Sequence, residues 1–431
     1  MWKRIPLATV PISSKELRTF ANRVLAGESI IGKDVRKFEG NLANYLGVSK
    51  TFAFNSGRTA LYVALQALNL ERGDEVLVPA YTCPVVFEVI LRLGLKPVFV
   101  DADSQTYNID PELLPKAITS KTKVVIPVHL FGRPCNMDPI VEIAEKNSLY
   151  IIEDAAQAIG AEYKREKIGT FGDLAIFSFG PGKVITSGSG GAVALNNSDT
   201  EAAIVENYEK LPPPSFSNVM QLARNIIGLY VFSNRYAYPF AQSSVSRELE
   251  ETDKSIIENI LTLSSYGSHC SSLNETIVLE KMPNVSGAIA SYQLEKIDTI
   301  IQRRKENSVT IFDEITKRNL AKISIPPQDP NLNDIYTRCV VKTKRLNVDL
   351  LIHNLMKEGI EVRRPYKYLD ALYTSISVQA PNSLRLIRSA LALPNHPCLD
   401  MSDTFKIVDV LEKLLKQIDT RQVSSSLYLG I

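Results

Sequence analysis

Between residues 61 and 193 short apolar runs alternate with stretches of helical spacing, and this rhythm leaves few folds open. Residues 76–78, 97–100, 124–127, 149–152 and 174–179 are nearly continuous in apolar side chains. Strands of that kind are buried on both faces, which is the habit of parallel sheets covered by helices. Parallel neighbours need long crossover connections, and the intervening helical stretches supply them. The expected fold class is therefore α/β, with a mainly parallel sheet flanked by helices.

The rest of the chain reads differently. Ala290, Leu294, Ile297 and Ile301 recur at helical spacing, so residues 285–301 predict one long helix joining two domains. Residues 338–342 predict a strand, 349–358 a helix stopped by Gly359, and 401–417 a final amphipathic helix. The expected division is a large domain over residues 1–300 and a smaller α+β domain over 301–431. A chain of 431 residues that is 45% hydrophobic can build both cores. An aromatic-rich insertion is expected at about 205–270, with apolar runs at 226–232 and 236–240. Arg224 and Arg235 interrupt it, so it is too short to span a bilayer. Packing on a partner subunit or over the active site is the favoured reading, since exposed apolar patches more often mark protein interfaces. Peripheral contact with a membrane surface is the alternative.

Chemistry is concentrated in the string from Ser178 to Val193. An apolar strand enters a Gly/Pro turn that presents Lys183, and a glycine cluster then leads into another apolar strand. A lysine held on such a turn can form a Schiff base with a carbonyl, as in enzymes that use pyridoxal 5'-phosphate. Two other glycine motifs fail here. A phosphate-binding P-loop would need glycine at Phe177 and Ser or Thr at Val184. A dinucleotide fingerprint would need glycine at Val193, with a helix following rather than a strand.

Two upstream segments fit the same chemistry. The apolar run at 149–152 ends in Glu153-Asp154, and a carboxylate at the end of a parallel strand points into the ligand crevice of an α/β sheet. Asp154 could keep a pyridine nitrogen protonated, and Gln157 could bond the ring's phenolic oxygen. The competing reading of Asp154 is a helix N-cap. Asn55-Ser56-Gly57-Arg58 precedes a strongly helical run, and such a helix start can hold a phosphate or act as an ordinary cap.

In this order, these motifs resemble the DegT/DnrJ/StrS-type sugar aminotransferases, which share the fold-type I architecture of aspartate aminotransferase. The likeness runs over nearly the whole chain, through Phe38-Glu39, Gly73-Asp74-Glu75-Val76, His129-Leu130-Phe131-Gly132, Gln293-Leu294-Glu295-Lys296 and Gly359 to Arg364. The resemblance implies a seven-stranded sheet, with Lys183 as catalytic residue and cofactor anchor. It further implies Asp154 on the pyridinium nitrogen and Gln157 on the phenolic oxygen. Ser56, Gly57, Arg58 and Ser178 would bind the cofactor phosphate, and Cys83 would line one ring face. A nucleotide-linked keto-sugar as substrate, glutamate as donor and a homodimer with shared sites are implied as well. Three departures accompany the likeness. Cys83 replaces an aromatic residue and Ser189 a glutamate, and the Asn-aromatic-Arg segment that reaches the partner's site reads Leu279-Glu280-Lys281. Lys281 would then supply the partner-subunit charge. Sugar dehydratases of the same fold replace the lysine, so Lys183 favours transamination; a deoxygenating enzyme and a non-catalytic, membrane-associated member are the alternatives.

Bulk properties narrow the setting. A net charge of +2 does not indicate a nucleic-acid partner. The five cysteines show no metal-ligand spacing, and their odd, unpatterned number suggests reduced thiols in a cytoplasmic protein. The polar, charged start of the chain offers no signal-peptide core.

Overall fold

The apolar runs of the first half fold into one sheet in the structure, a computed structural model that describes residues 4–9, 11–232, 260 and 278–427. Its strands are β1 (Lys50–Phe54), β2 (Glu75–Pro79), β3 (Lys96–Val100), β4 (Thr122–Val125), β5 (Tyr150–Asp154), β6 (Leu174–Ser178) and β7 (Gly191–Leu195). They lie in the order β1-β7-β6-β5-β4-β2-β3. Pairing is parallel from β3 through β2, β4 and β5 to β6, while β7 runs antiparallel to both its neighbours, β6 and β1. The expected seven-stranded, mainly parallel sheet is what forms.

Side chains alternate between two cores, as the two-residue period of a strand requires. Val76 and Val78 of β2 enter one core and Leu77 the other. In β6, Leu174 and Ile176 join the first, Ala175 and Phe177 the second. Helices cover both faces, and the strands inside the sheet are almost wholly buried, while the edge strand β3 is only part-buried. The C-terminal ends of β1, β5 and β6 share one edge.

A three-stranded antiparallel sheet, β8 (Ile323–Ser324), β9 (Cys339–Thr343) and β10 (Ala390–Leu393), carries a third core with the Val348–Lys357 and Met401–Leu427 helices. The start of the chain is built into it. Ile5 pairs in parallel with Ile360 and is fully buried there.

The single helix expected over 285–301 is two helices, Asn284–Glu295 and Ile297–Lys317. Lys296 leaves helical geometry at φ −113°, ψ 11°. Gln293 and Lys296 both turn to the buried carboxylate of Glu16, which also closes the capping box of the Ser14–Leu25 helix. A long-range acceptor thus fixes the break.

Of the aromatic-rich insertion, residues 205–232 and 260 are described; they include the end of the Glu201–Lys210 helix and the helix Phe216–Phe232. Leu222 and Ile226 pack beneath the latter on Ile12, Val285 and Ile289. Phe216, Met220, Ile227, Tyr230 and Val231 are exposed on its outer side. The run at 236–240 lies outside the described residues. Among those described, no helix is long and apolar enough to cross a membrane.

Candidate active site

Alternation along β5 separates its two carboxylates. Glu153 faces away from the crevice and accepts the N–H groups of Gly169 (2.9 Å), Phe171 (2.7 Å) and Gly172 (2.9 Å). His129 Nδ1 accepts from the Cys135 N–H at 3.0 Å, which leaves Nε2 as the donor to Glu153 at 3.2 Å. Glu153 is therefore spent on structure. Asp154, one residue on, lines the cavity at the sheet edge. Its Oδ1 accepts the Ala156 N–H at 3.0 Å, but a series of turns follows rather than a helix, so it caps no helix. Burial pushes its carboxyl above the ordinary value, opposed first by the charge of Lys183, then by the Ala156 N–H and by His129.

Lys183 hangs from the loop between β6 and β7. Gly182 precedes it at φ +79°, a conformation in which a side chain would be strained. The Lys183 N–H reaches back to Gly180 O at 3.4 Å. Burial lowers the pKa of the ammonium; Cys83 and Asp154 oppose that shift, and the cation Arg338 adds to it. A lysine depressed in this way is a better proton acceptor and nucleophile than a surface lysine.

The helix Gly57–Ala67 starts where β1 ends. Ser56 caps it, accepting the Thr59 N–H at 3.1 Å. Close packing fixes this corner. A Cβ on Gly57 would lie 2.9 Å from Ser178 Cβ, and one on Gly191 only 2.4 Å from both Gly57 N and Ser56 O. The helix start is thereby pressed against the ends of β6 and β7, with Ser178 beside its first N–H groups. Those groups have no intrahelical acceptor, and the helix dipole favours an anion there. Ser189 Oγ donates to Asn55 O at 2.6 Å, tying the glycine cluster after Lys183 to the same corner.

One cavity of about 660 Å³ is lined by Ser56, Gly57, Arg58, Asp154, Ser178 and Lys183, and also by Cys83 and Gln157. Every cofactor-binding residue expected from the sequence is brought there. Arg58 lies on its wall with its guanidinium 3.8 Å from buried Glu88. The donor set suits pyridoxal phosphate: an anion-binding helix start, a buried carboxylate and an amine, in a space typical of small-molecule sites. Lys281 lines neither this cavity nor the one beside it. Within the protomer it pairs with Glu209 at 3.0 Å and lies over the Tyr208 ring.

An adjoining cavity of about 220 Å³ shares Cys83, Gln157 and Lys183 and adds residues that sequence reasoning missed. Arg338 stands at the start of β9, with Nη2 3.9 Å from where a Gly182 Cβ would be. Arg363, Arg364 and Tyr366 follow the small domain's Gly359 turn. Arg364 pairs with Asp349 at 3.4 Å, whereas Arg338 and Arg363 make no ion pair with a described residue. No Asp or Glu lines this cavity. Tyr366, at φ +55°, accepts from Gln157 Nε2 at 2.9 Å and stacks on Phe131 at 6.0 Å. The Gly359–Arg364 string was the available signal, but nothing local in it marks which side chain turns inward.

Comparison with known proteins follows the same lines. The model of the DegT/DnrJ/EryC1/StrS aminotransferase family matches residues 11–211 and 250–412. GDP-perosamine synthase of Caulobacter vibrioides is 44% identical over 174 residues, a match spanning 40% of this chain and 47% of that protein. A dTDP-3-amino-3,4,6-trideoxy-alpha-D-glucose transaminase of Streptomyces venezuelae is 26% identical over 96% of this chain and 97% of its own. The crystal structure of S. venezuelae DesV with a ketimine intermediate superposes with a TM-score of 0.72 at 25% identity, covering 96% of this chain and 98% of that one.

Proposed function

The chain belongs to the DegT/DnrJ/EryC1/StrS aminotransferase family, and on that premise we propose that it moves an amino group from glutamate to a nucleotide-linked keto-sugar in amino-sugar biosynthesis. The observation that carries this reading is the single cavity holding the Lys183 amine, the Asp154 carboxylate and the Gly57 helix start.

Pyridoxal phosphate, when bound, supplies an electron sink that stabilises negative charge on the substrate carbon. The chain's own residues do the rest. The helix start at Ser56–Arg58 and the Ser178 hydroxyl hold the phosphate. Asp154 holds a proton on the ring nitrogen, which keeps the sink effective. Gln157, oriented by Tyr366, takes the phenolic oxygen, and Cys83 lines a ring face. Lys183 anchors the cofactor and, when free, carries a proton from the donor's α-carbon and later to the sugar carbon. Its lowered pKa suits that exchange. Arg338 and Arg363 line the site and make no ion pair with a described residue, which supports an amino-acid donor whose carboxylate they would take.

The retained lysine supports transamination over dehydration. A cytoplasmic homodimer is the assembly we favour, with the exposed apolar side of the Phe216–Phe232 helix available for burial and Lys281 near the contact. The test is transfer of ¹⁵N from labelled glutamate to a panel of GDP-, dTDP- and UDP-linked keto-sugars, followed by mass spectrometry. A protein that binds pyridoxal phosphate yet labels none of them would end this reading.

A further inference from the structure

The family model's match stops at residue 211 and resumes at 250. The helix Phe216–Phe232 lies in that gap, outside the part of the chain that the family model matches. It is nevertheless part of the site. Asn218, Gln221, Leu222 and Asn225 line the larger cavity.

The helix is fixed to the site at three points. At its start, the buried carboxylate of Glu280 accepts the Ser215 N–H at 3.1 Å and the Asn218 amide. In its middle, Leu222 and Ile226 press on Gly188, where a Cβ would lie 2.7 Å from Leu222 Cδ1 and 2.9 Å from Ile226 Cδ1. One turn on, Asn225 Nδ2 donates to Gly188 O at 3.0 Å. The helix therefore sits on the loop that carries Lys183. Glu280, which stands where the resemblance places an aromatic residue, has a structural reason: it anchors the start of this helix.

What the helix offers the cavity is chemically uniform. Residues 218, 221 and 225 fall on one face, at i, i+3 and i+7. All three are carboxamides. The anchoring bonds use the amide nitrogens of Asn218 and Asn225, so their carbonyl oxygens remain, and Gln221 makes no side-chain bond to a described residue. Each carboxamide can both donate and accept, as a hydroxyl can. The wall has no charge of its own, so it does not suit a phosphate or a carboxylate. It suits a ligand bearing several neutral hydroxyl or amide groups.

We propose that the Phe216–Phe232 helix is this chain's specificity wall: Gln221, with the carbonyl oxygens of Asn218 and Asn225, recognises the hydroxyl or acetamido groups of the sugar ring. The inference rests on the sugar-aminotransferase reading above and adds the residues that choose among sugars.

The test uses the full-length holoenzyme with Gln221→Met, which keeps the side chain's length, and Gln221→Met/Asn225→Leu, with thermal unfolding as a check on folding. Calorimetry reads binding of the nucleotide-linked amino-sugar that the unaltered protein forms, and stopped-flow absorbance reads the donor step with glutamate. Loss of one neutral hydrogen bond predicts about 3- to 10-fold weaker sugar binding for Gln221→Met, and about 10- to 100-fold for the pair. The donor step should stay within about twofold, and KM for the sugar should rise far more than kcat falls. Sugar binding unchanged in both folded variants would overturn the proposal, as would equal loss in the sugar and donor steps. If the unaltered protein accepts glutamate but neither binds nor aminates any nucleotide sugar, the substrate reading fails and this inference goes with it.

Discussion

Gly191→Ala should loosen the hold on the cofactor phosphate while leaving the rest of the sheet intact. The new methyl would stand 2.4 Å from Gly57 N, 2.4 Å from Ser56 O and 2.5 Å from Ser56 C. Carbon–oxygen and carbon–nitrogen contacts settle well above 3 Å, so one side must retreat by roughly 1 Å. Every obstructing atom is backbone, and none can swing aside as a side-chain end could. Gly191 is held between Phe54 and Ser178 by pairing on both sides, so the Ser56–Gly57 peptide is the part that moves. Overpacking of this kind costs about 1–3 kcal/mol of stability. Misplacing one charged hydrogen bond to the phosphate costs about 1.5–3 kcal/mol, or roughly 10- to 100-fold in Kd. Titrating the apo protein with pyridoxal phosphate, followed by absorbance, reads the second figure, and thermal unfolding of the apo form reads the first. Gly40→Ala is the control, because that helical glycine has no atom within 4 Å of its Cβ position; a small gain in stability is expected there. A Gly191→Ala protein with normal cofactor affinity would show that the helix start does not hold the phosphate.

Borohydride reduction of the holoenzyme followed by peptide mapping should place the pyridoxyl group on Lys183; a label on another lysine would refute the anchor. Asp154→Asn should still bind the cofactor but lose turnover by on the order of 10²- to 10³-fold, and a loss of only a few-fold would reduce Asp154 to a structural role. Glu39, half-buried and accepting the Ala53 N–H at 2.8 Å, has its carboxyl raised by burial from 4.5 to about 7. The folded state then holds a proton that the unfolded state releases, so this group's contribution to stability falls as pH rises from about 4.5 to 7. Glu39→Gln should flatten denaturant stability across that window and raise it above pH 7 by on the order of 2 kcal/mol; an unchanged pH slope would show that Glu39 titrates normally.

The parallel strands were legible because burial on both faces leaves an apolar signature that needs no knowledge of neighbours. Asp154 was legible because it ends an apolar strand, and Lys183 because its Gly/Pro turn follows one, so position along the chain indicated position at the sheet edge. Asp154 was chosen for its place at the strand's end; the structure supplies the reason it is preferred to Glu153, which is consumed by three N–H groups on the strand's other face. Other features depended on distant partners. The helix break at Lys296 is set by Glu16, far away in sequence. Arg338 and Tyr366 enter the site because residues distant in sequence line one cavity with Cys83, Gln157 and Lys183, and Tyr366 does so in a positive-φ conformation that sequence does not announce.

Two of the departures from the family pattern, Ser189 and Glu280, lie beside the Phe216–Phe232 helix. A glutamate at position 280 gives the helix an anchor for Ser215 and Asn218. Glycine at 188 allows Leu222 and Ile226 to approach to a distance no other residue would permit. Serine at 189 bonds Asn55 O and lines the same cavity as Asn225; a longer, charged side chain there would meet a wall of neutral amides and pay desolvation against it. Each change alone looks like erosion of a binding site. Jointly the changes at 189 and 280 fit a site in which the Phe216–Phe232 helix forms a wall beside the Gly57 corner. Lys183, Asp154 and the Gly57 corner line the same cavity as Ser189 and Asn225, so the change at 189 falls on the wall around the cofactor anchors and not on the anchors themselves.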